Sequence, residues 1–494
     1  MTPRRTRTAP LYLALGLLAL TACKKEGVEI KPPLDPIVAV ARPEDPGVVT
    51  LASALPQRLV AADKAAEVRV RLRIDASKLE HSKRPPINVV LVMDSSGSME
   101  GKAIEDARGA ALALVDGLAE GDRLAVVSFD SLSHVLVPST KIDATTQQTI
   151  RTQIETMAAR GTTDLAAGLA AGLAEAQRGY LQEGVNRLVL LSDGVPNDDS
   201  QIHNLAAQAA SMRVAVTALG LGLEYNETLL TALAQSTGGK FHFIEDSTQV
   251  ATVFREEVLR LERVVAQNMQ LTLMAGPGVT VEGVLGHSSS PVGRGLTLAL
   301  GDLAEGSHRD LIVRLRVAPH RDGAALELMD AVLNFQDAVV GAGGLERRVY
   351  VAARTSADAA RVAESRDPEV ERQSARALAD AATIDAIALA RSGQLAAGVA
   401  LIDRAEPEAR AAAKLLGDSE LKAQADGLAK LRKALPTLVP APHPIAAIAG
   451  GPAGGQPSRS PQPTAMITTP MTPDDSPATV KRSHGKAMRR LQGE

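Results

Sequence analysis

The 494-residue sequence predicts an α/β protein with a doubly wound, mostly parallel sheet, an accessory β-sandwich module and a C-terminal helical region. Three observations lead to this fold class. Between about residues 84 and 261, apolar runs rich in Val and Leu alternate with segments of helical period. The run at 89–93 is apolar throughout, which is typical of a strand buried on both faces. Short strand-like runs and then Ala-rich helical segments follow this region.

The first residues predict a secreted and lipid-anchored chain. A basic start precedes the apolar residues 11–20, a run too short to span a bilayer, so residues 1–22 are expected to be a signal peptide. The Leu-Thr-Ala-Cys sequence ending at Cys23 resembles a bacterial lipobox, which implies lipidation of this single cysteine and anchoring to the membrane. Lys24 follows, which by the lipoprotein sorting rule indicates the outer membrane. Residues 23–48 are rich in Pro and predict an extended tether.

Two β-rich regions flank the α/β region. Residues 49–83 contain the run 66–74, which alternates apolar and charged residues as a half-exposed antiparallel strand does. Residues 263–353 contain short strand-like runs separated by Gly and Pro, which predict a β-sandwich-like module. We therefore expect these regions to pair in one β module, into which the α/β domain of residues 84–262 is inserted.

The α/β domain should contain one antiparallel edge strand. The strands of the α/β domain are expected at 87–93, 123–129, 134–138, 187–191, 213–219 and 240–244. The run at 134–138 follows the previous strand too closely for a crossover helix, so it should form a hairpin with that strand. The other strands are separated by helical segments and should run parallel.

The C-terminal part divides into two regions. Residues 354–435 are Ala-rich with little Gly or Pro, and they predict a helical bundle rather than a repeat array. Residues 436–494 are rich in Pro, Gly, Ser and Thr, and they predict a disordered tail with a basic end.

The residues with the clearest chemistry follow the first strand of the α/β domain. Asp94, Ser96 and Ser98 lie in the loop between this strand and the next helix. Ligands of open α/β sheets bind at the carboxyl edge of the strands, where this loop lies. The polar side-chain atoms are all oxygens, which hard cations such as Mg2+ prefer. The loop is therefore a candidate metal site.

This Asp-x-Ser-x-Ser loop resembles the metal-ion-dependent adhesion site of von Willebrand factor type A (VWA) domains. Two later motifs resemble the other parts of that site: the Gly-Thr-Thr-Asp sequence around Thr163 and the strand-Asp-Gly turn at Asp193. Thr162 stands where the family usually has a second glycine. The resemblance implies a VWA/Rossmann-like sheet and adds Thr163 and Asp193 to the metal ligands. Together with the lipobox, it identifies the chain as similar to bacterial VWA lipoproteins.

What the resemblance implies for function is binding rather than catalysis. The hydroxyls would bind Mg2+ or Mn2+ directly. One or both of the Asp side chains would contact the cation through a bound water molecule. This leaves a position open for a Glu or Asp carboxylate of a partner protein. We therefore predict a non-enzymatic lipoprotein of the cell envelope, in the outer membrane of a Gram-negative bacterium, that binds a partner protein through the cation.

Two alternatives remain at this point, a metal-dependent hydrolase using the same open cation site and a passive envelope scaffold. Ser96 stands where aspartate-based phosphatases have their second Asp, and Asp164, the only nearby candidate base, is expected to cap a helix. Nucleic-acid binding is not expected, because the net charge is -3 and the chain has no Trp and few other aromatic residues.

Overall fold

The computed structural model describes residues 45–79, 84–438 and 477–493. These residues form an α/β domain, a two-sheet β module and a C-terminal helical region, so the predicted fold class is confirmed. The predicted signal peptide, Cys23 and most of the predicted tether lie outside the described residues. Within the described ranges, no helix combines the length and apolar character needed to cross a bilayer.

The β module begins before the α/β domain. Its first strands are β1 Val49–Ala54, β2 Leu59–Ala61 and β3 Ala66–Ala76. In β3, the apolar residues are buried and the charged residues between them lie on the other face, as the alternation predicts. The ordered module starts earlier than the predicted boundary at residue 48, because Val48 is buried and Asp45 forms an ion pair with Arg347 (Oδ2–Nη1 2.6 Å).

The α/β domain has one six-stranded sheet between two layers of helices. Its strands are β4 Ile87–Asp94, β5 Arg123–Phe129, β6 Ser133–Lys141, β7 Val185–Ser192, β8 Ala215–Leu221 and β9 Phe241–Ile244. Its helices are α1 Lys102–Gly117, α2 Ala144–Glu155, α3 Leu165–Arg178, α4 Ile202–Ser211, α5 Glu227–Ser236 and α6 Val250–Leu261. The strand order is β6-β5-β4-β7-β8-β9, and β6 runs antiparallel to β5 while the other pairs are parallel.

The central strand β4 is buried on both faces. Val89, Leu91 and Met93 pack in one core with α1, α2 and α6. Val90 and Val92 point the other way and pack in a second core with α3, α4 and α5. Alternate side chains of a strand point to opposite faces, so an unbroken apolar run is needed here.

The chain then completes the β module. Its later strands are β10 Val264–Ala275, β11 Val279–Val284, β12 Ser290–Val292, β13 Gly295–Ala304, β14 His308–Val317, β15 Ala325–Asp337 and β16 Gly344–Ser356. One sheet has the order β1-β3-β14-β11 and the other β12-β13-β10-β15-β16-β2, and they share one hydrophobic core. Thus β3, which precedes the α/β domain, pairs with β14, which follows it.

Five α-helices follow the β module among the described residues. They are α7 Ala359–Glu364, α8 Pro368–Arg391, α9 Leu395–Leu416, α10 Ser419–Ala434 and α11 Pro477–Leu491. Helices α8, α9 and α10 pack together in one apolar cluster. Gly417, which follows α9 with a φ of 62°, provides the left-handed C-cap that a glycine adopts without strain.

The prediction that residues 436–494 are disordered is wrong for α11. Val480 and Met488 are buried, and Gly485 lies so close to Phe243 of β9 that a Cβ would be 2.7 Å from the Cβ of Phe243. Helix α11 therefore covers an edge of the central sheet, a position that protects edge strands in many proteins. The Pro-rich composition of the preceding residues concealed this short helix. Residues 439–476 lie outside the described part of the chain.

Candidate metal centre

The candidate site lies at the carboxyl edge of the central sheet. Asp94 is the last residue of β4 and is completely buried. Because β4 lies between β5 and β7, the loops that follow these strands meet around it. The structure therefore places the candidate residues at the edge where open α/β sheets bind ligands.

Hydrogen bonds connect four of the five predicted residues with Ser192. The Ser96 amide donates to Asp94 Oδ1 (2.9 Å), and the Ser192 hydroxyl donates to Asp94 Oδ2 (3.0 Å). The Ser98 hydroxyl donates to Asp193 Oδ1 (2.8 Å), and the Ser96 and Ser98 hydroxyls lie 3.1 Å apart. Two carboxylates and two hydroxyls thus form one connected cluster.

Thr163 lies beside this cluster. A Cβ at Gly194, the residue after Asp193, would be 3.1 Å from the Thr163 hydroxyl oxygen. Thr163 is 8 % exposed, and its hydroxyl has no hydrogen-bond partner among the described residues. The loop that carries it is fixed to the first loop by two backbone bonds, from the Arg160 amide to the Ser95 carbonyl (2.7 Å) and from the Gly97 amide to the Gly161 carbonyl (3.1 Å).

Thr162, where the family usually has glycine, has a structural role here. Its φ is negative, so the backbone does not require a glycine at this position. The Thr162 hydroxyl lies 3.1 Å from the Ser131 hydroxyl and accepts a hydrogen bond from Asn197 Nδ2 (3.1 Å). Thr162 therefore connects the loops that follow β5 and β7.

Among the described residues, Asp94 and Asp193 have no basic partner. Burial raises the pKa of Asp94. Burial and the nearby charge of Asp94 raise the pKa of Asp193 to about 6. Arg160, in the adjacent loop, already pairs with Asp130 (Nε–Oδ2 2.8 Å). A cation between the two carboxylates would relieve their repulsion.

The donor set fits a hard divalent cation. Two carboxylates and three hydroxyls offer only oxygen, which suits Mg2+ or Mn2+. Among the described residues, no group of three or more His, Cys, Asp or Glu side chains lies close enough to hold a metal ion. The described residues thus offer no zinc-type ligand cluster as an alternative site.

Sequence reasoning missed two supports of the site. Ser192 fixes the Asp94 carboxylate, and its position next to Asp193 at the end of a buried strand was the available signal. Asp130, at the end of β5, accepts the Leu132 amide through its side chain (3.2 Å) and holds the Asp164 amide through its carbonyl (2.7 Å). Asp164 caps α3, since its side chain accepts from the Ala167 amide (2.9 Å).

A family model for the von Willebrand factor type A domain matches residues 88–256. The chain contains a VWA domain. VWA domains generally bind a divalent cation at the adhesion site and typically mediate protein–protein interaction. The matched range includes all five predicted metal ligands and the supports described above.

Relatives extend the similarity beyond this range. The protein sll0103 of Synechocystis sp. is 32% identical over 223 residues, which cover 45% of this chain and 52% of that protein. YfbK of Escherichia coli is 26% identical over 266 residues, or 50% of this chain and 45% of that protein. The chain thus spans about half the length of the curated relatives it matches.

A solved structure, the von Willebrand factor type A protein from Catenulispora acidiphila, aligns with a TM-score of 0.59 at 20% identity. The alignment covers 78% of this chain and 89% of that chain, so the shared fold includes more than the VWA domain alone.

Proposed function

We propose that this protein is an extracytoplasmic lipoprotein whose VWA domain binds a partner protein through Mg2+ or Mn2+. The observation that carries the proposal is that Asp94 and Asp193 lie close together with three hydroxyls. Among the described residues, neither acid has a basic partner. The lipobox-like sequence ending at Cys23 supports an anchored, extracytoplasmic location, and Lys24 after it supports the outer membrane.

The cluster is graded from the interior to the surface. Asp94 and Ser96 are buried, Asp193 is half-buried and Ser98 is exposed. A cation held by these residues would be reachable from solvent on the Ser98 side. When bound, the cation would supply a positive centre for a carboxylate, so the partner is expected to present a Glu or Asp.

The hydrolase alternative finds no support in these loops. The carboxylate of Asp164 is engaged in capping α3, and Ser96 stands where a second acid would be needed. A passive scaffold role for the helical region is compatible with metal-dependent binding and needs no separate site.

The metal site is tested by titration calorimetry of the full chain with Mg2+ and Mn2+. Asp94→Ala should weaken binding of both ions by about 100-fold or more, because it removes a buried carboxylate that hydroxyl groups cannot replace. Asp198→Ala is the matched control, since this exposed carboxylate in the loop after β7 bonds to Ser200 and to no other described residue. Equal metal affinity of the wild type and Asp94→Ala would contradict the site.

The binding mechanism is tested by pull-down from cell-envelope extract. The immobilised wild type should retain a partner in Mg2+ and release it in chelator, and Asp94→Ala should retain none. A partner that stays bound in chelator would show that the cation does not carry the interaction.

Anchoring is tested by Cys23→Ser. The variant should move from the membrane fraction to the soluble fraction, because the lipidated thiol is lost. If the variant, once cleaved at another site, stays in the membrane fraction, the lipoprotein proposal is wrong.

A further inference from the structure

A cavity lies between the β module and the C-terminal helices, outside the VWA motifs. It has a volume of about 260 Å3 and is lined by strands β3 and β14 on one side and helices α8 and α9 on the other. Small and apolar side chains of the two helices form one wall, namely Ala375, Ala379, Ala382, Leu401, Ala405 and Ala409. Its volume is just below the usual range of about 300–1,000 Å3 for pockets of drug-sized ligands, so it suits a small molecule.

The same cavity contains six charged side chains of both signs. They are Arg69, Arg314, Arg404, Glu371, Asp385 and Glu408. Within the described part of the chain, none of them forms an ion pair or a side-chain hydrogen bond with another residue. Three cations and three anions thus line one small cavity without a direct ion pair among them; Arg404, Asp385 and Glu408 are exposed to solvent, and the charge of Arg314 acts on Asp385 without direct contact.

The two arginines from the sheet are in an unfavourable arrangement. Arg69 lies directly opposite Arg314 in the register of β3 and β14. Like charges in this position repel each other. In addition, Arg314 Nε is buried and has no hydrogen-bond partner. A buried donor without a partner is costly, and an anionic group in the cavity would satisfy it.

Neighbouring arginines on the same sheet show that partners are normally provided. Arg71 pairs with Asp310 (2.8 Å), and Arg73 pairs with Asp75 (2.9 Å). Arg316, two residues after Arg314, donates to Glu282 (2.6 Å). Among the described arginines of this sheet, the lack of a direct partner is therefore particular to Arg69 and Arg314, which line the cavity.

The acids indicate the other half of the ligand. Asp385 and Glu371 come from α8, and Glu408 comes from α9. A simple anion would meet three carboxylates, and a simple cation would meet three guanidinium groups. A molecule with both charges satisfies both sets, and its apolar part matches the wall of Ala and Leu.

We propose that this cavity binds a small zwitterion with an apolar body, of the class of apolar amino acids and short peptides with free termini. The carboxylate is held by Arg69 and Arg314, and the ammonium group faces the acids of α8 and α9. The apolar side chains lie against the alanines of both helices.

The experiment is titration calorimetry of the full chain with the dipeptide Leu-Leu. Three matched ligands separate the contributions: N-acetyl-Leu-Leu has no ammonium group, Leu-Leu amide has no carboxylate, and Gly-Gly has no apolar side chains. Each should bind about tenfold more weakly than Leu-Leu, or not at all, because each lacks one of the three complementary parts.

Two variants locate the binding. Arg314→Gln should reduce the affinity for Leu-Leu by about tenfold or more, whereas Arg316→Gln should leave it within about twofold. Ala405→Leu fills the cavity without changing its charge and should also abolish binding. Thermal unfolding of each variant checks that it is folded.

Three results would overturn the proposal. They are no binding of Leu-Leu to the wild type, equal binding of Leu-Leu and its N-acetyl or amide form, and unchanged binding to folded Arg314→Gln. Equal binding of the N-acetyl form, in particular, would indicate an anion site rather than a site for zwitterions.

Discussion

Glu227 at the start of α5 and Asp94 at the end of β4 are both completely buried, but they are compensated differently. Glu227 forms ion pairs with Lys481 and with Arg391, the latter through two bonds of 2.9 and 3.0 Å. Burial alone would raise the pKa of Glu227, but the two cations outweigh it and lower the pKa to about 2. Asp94 has no basic partner in the part of the chain that the structure describes, and burial raises its pKa.

The difference distinguishes a structural acid from a binding one. Where the chain supplies cations, as at Glu227, the cluster joins α5 to α8 and α11, and the carboxylate is fully compensated by Lys481 and Arg391. Around Asp94 and Asp193, the described residues supply hydroxyl and amide donors but no basic side chain. A buried charge is costly unless it is paired, so the second cluster is suited to a cation from solution.

The largest effect should come from breaking the compensated cluster. Glu227→Gln leaves Lys481 buried without an acid and should lower the free energy of unfolding by about 3–5 kcal/mol. Chemical denaturation measures this loss. The matched control is Glu245→Gln. Its partner Arg482 lies on α11, as Lys481 does, but this ion pair is exposed, so the substitution should not measurably change the free energy of unfolding. Equal effects of the two substitutions would contradict the structural role of Glu227.

A smaller effect should appear in the pH dependence of stability. The pKa of Glu227 is about 2 in the folded chain and 4.5 in the unfolded chain, so folding favours the charged form of the carboxyl group. Its contribution of about 3 kcal/mol is present above pH 4.5 and is lost as the pH falls toward 2. The difference in unfolding free energy between the wild type and Glu227→Gln should therefore shrink over this interval. A constant difference would show that the carboxylate is not ionised.

The smallest effect should separate two adjacent threonines of the candidate metal centre. Thr163→Ala removes an unpaired hydroxyl beside Asp193 and should weaken Mg2+ binding by about tenfold. Thr162→Ala removes bonds to Ser131 and Asn197 and should cost about 1 kcal/mol of stability while metal affinity stays within about twofold. If Thr162→Ala weakened Mg2+ binding and Thr163→Ala did not, the assignment of the metal ligand to Thr163 would be wrong.

Local sequence patterns predicted the residues of the candidate site, but they did not predict the contacts between modules. By its local sequence Asp302 is an ordinary turn residue, because Gly and Asp together favour turns. In the structure it forms a buried ion pair with Arg187 of β7 (2.8 Å) and accepts the Asn268 amide (2.9 Å). It therefore connects the VWA domain with the β module. A turn motif contains no information about a partner 115 residues away.

The sequence by itself determined the order of the strands and helices of the α/β domain and the position of Asp94, Ser96 and Ser98 at one edge of its sheet, and the resemblance to VWA domains added Thr163 and Asp193. Apolar periodicity and turn residues act within a few positions, and parallel strands bring their carboxyl ends to the same edge. Only the tertiary structure decided that α11 is ordered and that Lys481 reaches Glu227. It alone placed Arg69 opposite Arg314. These contacts join residues far apart in the chain, and they arise from the packing of whole modules.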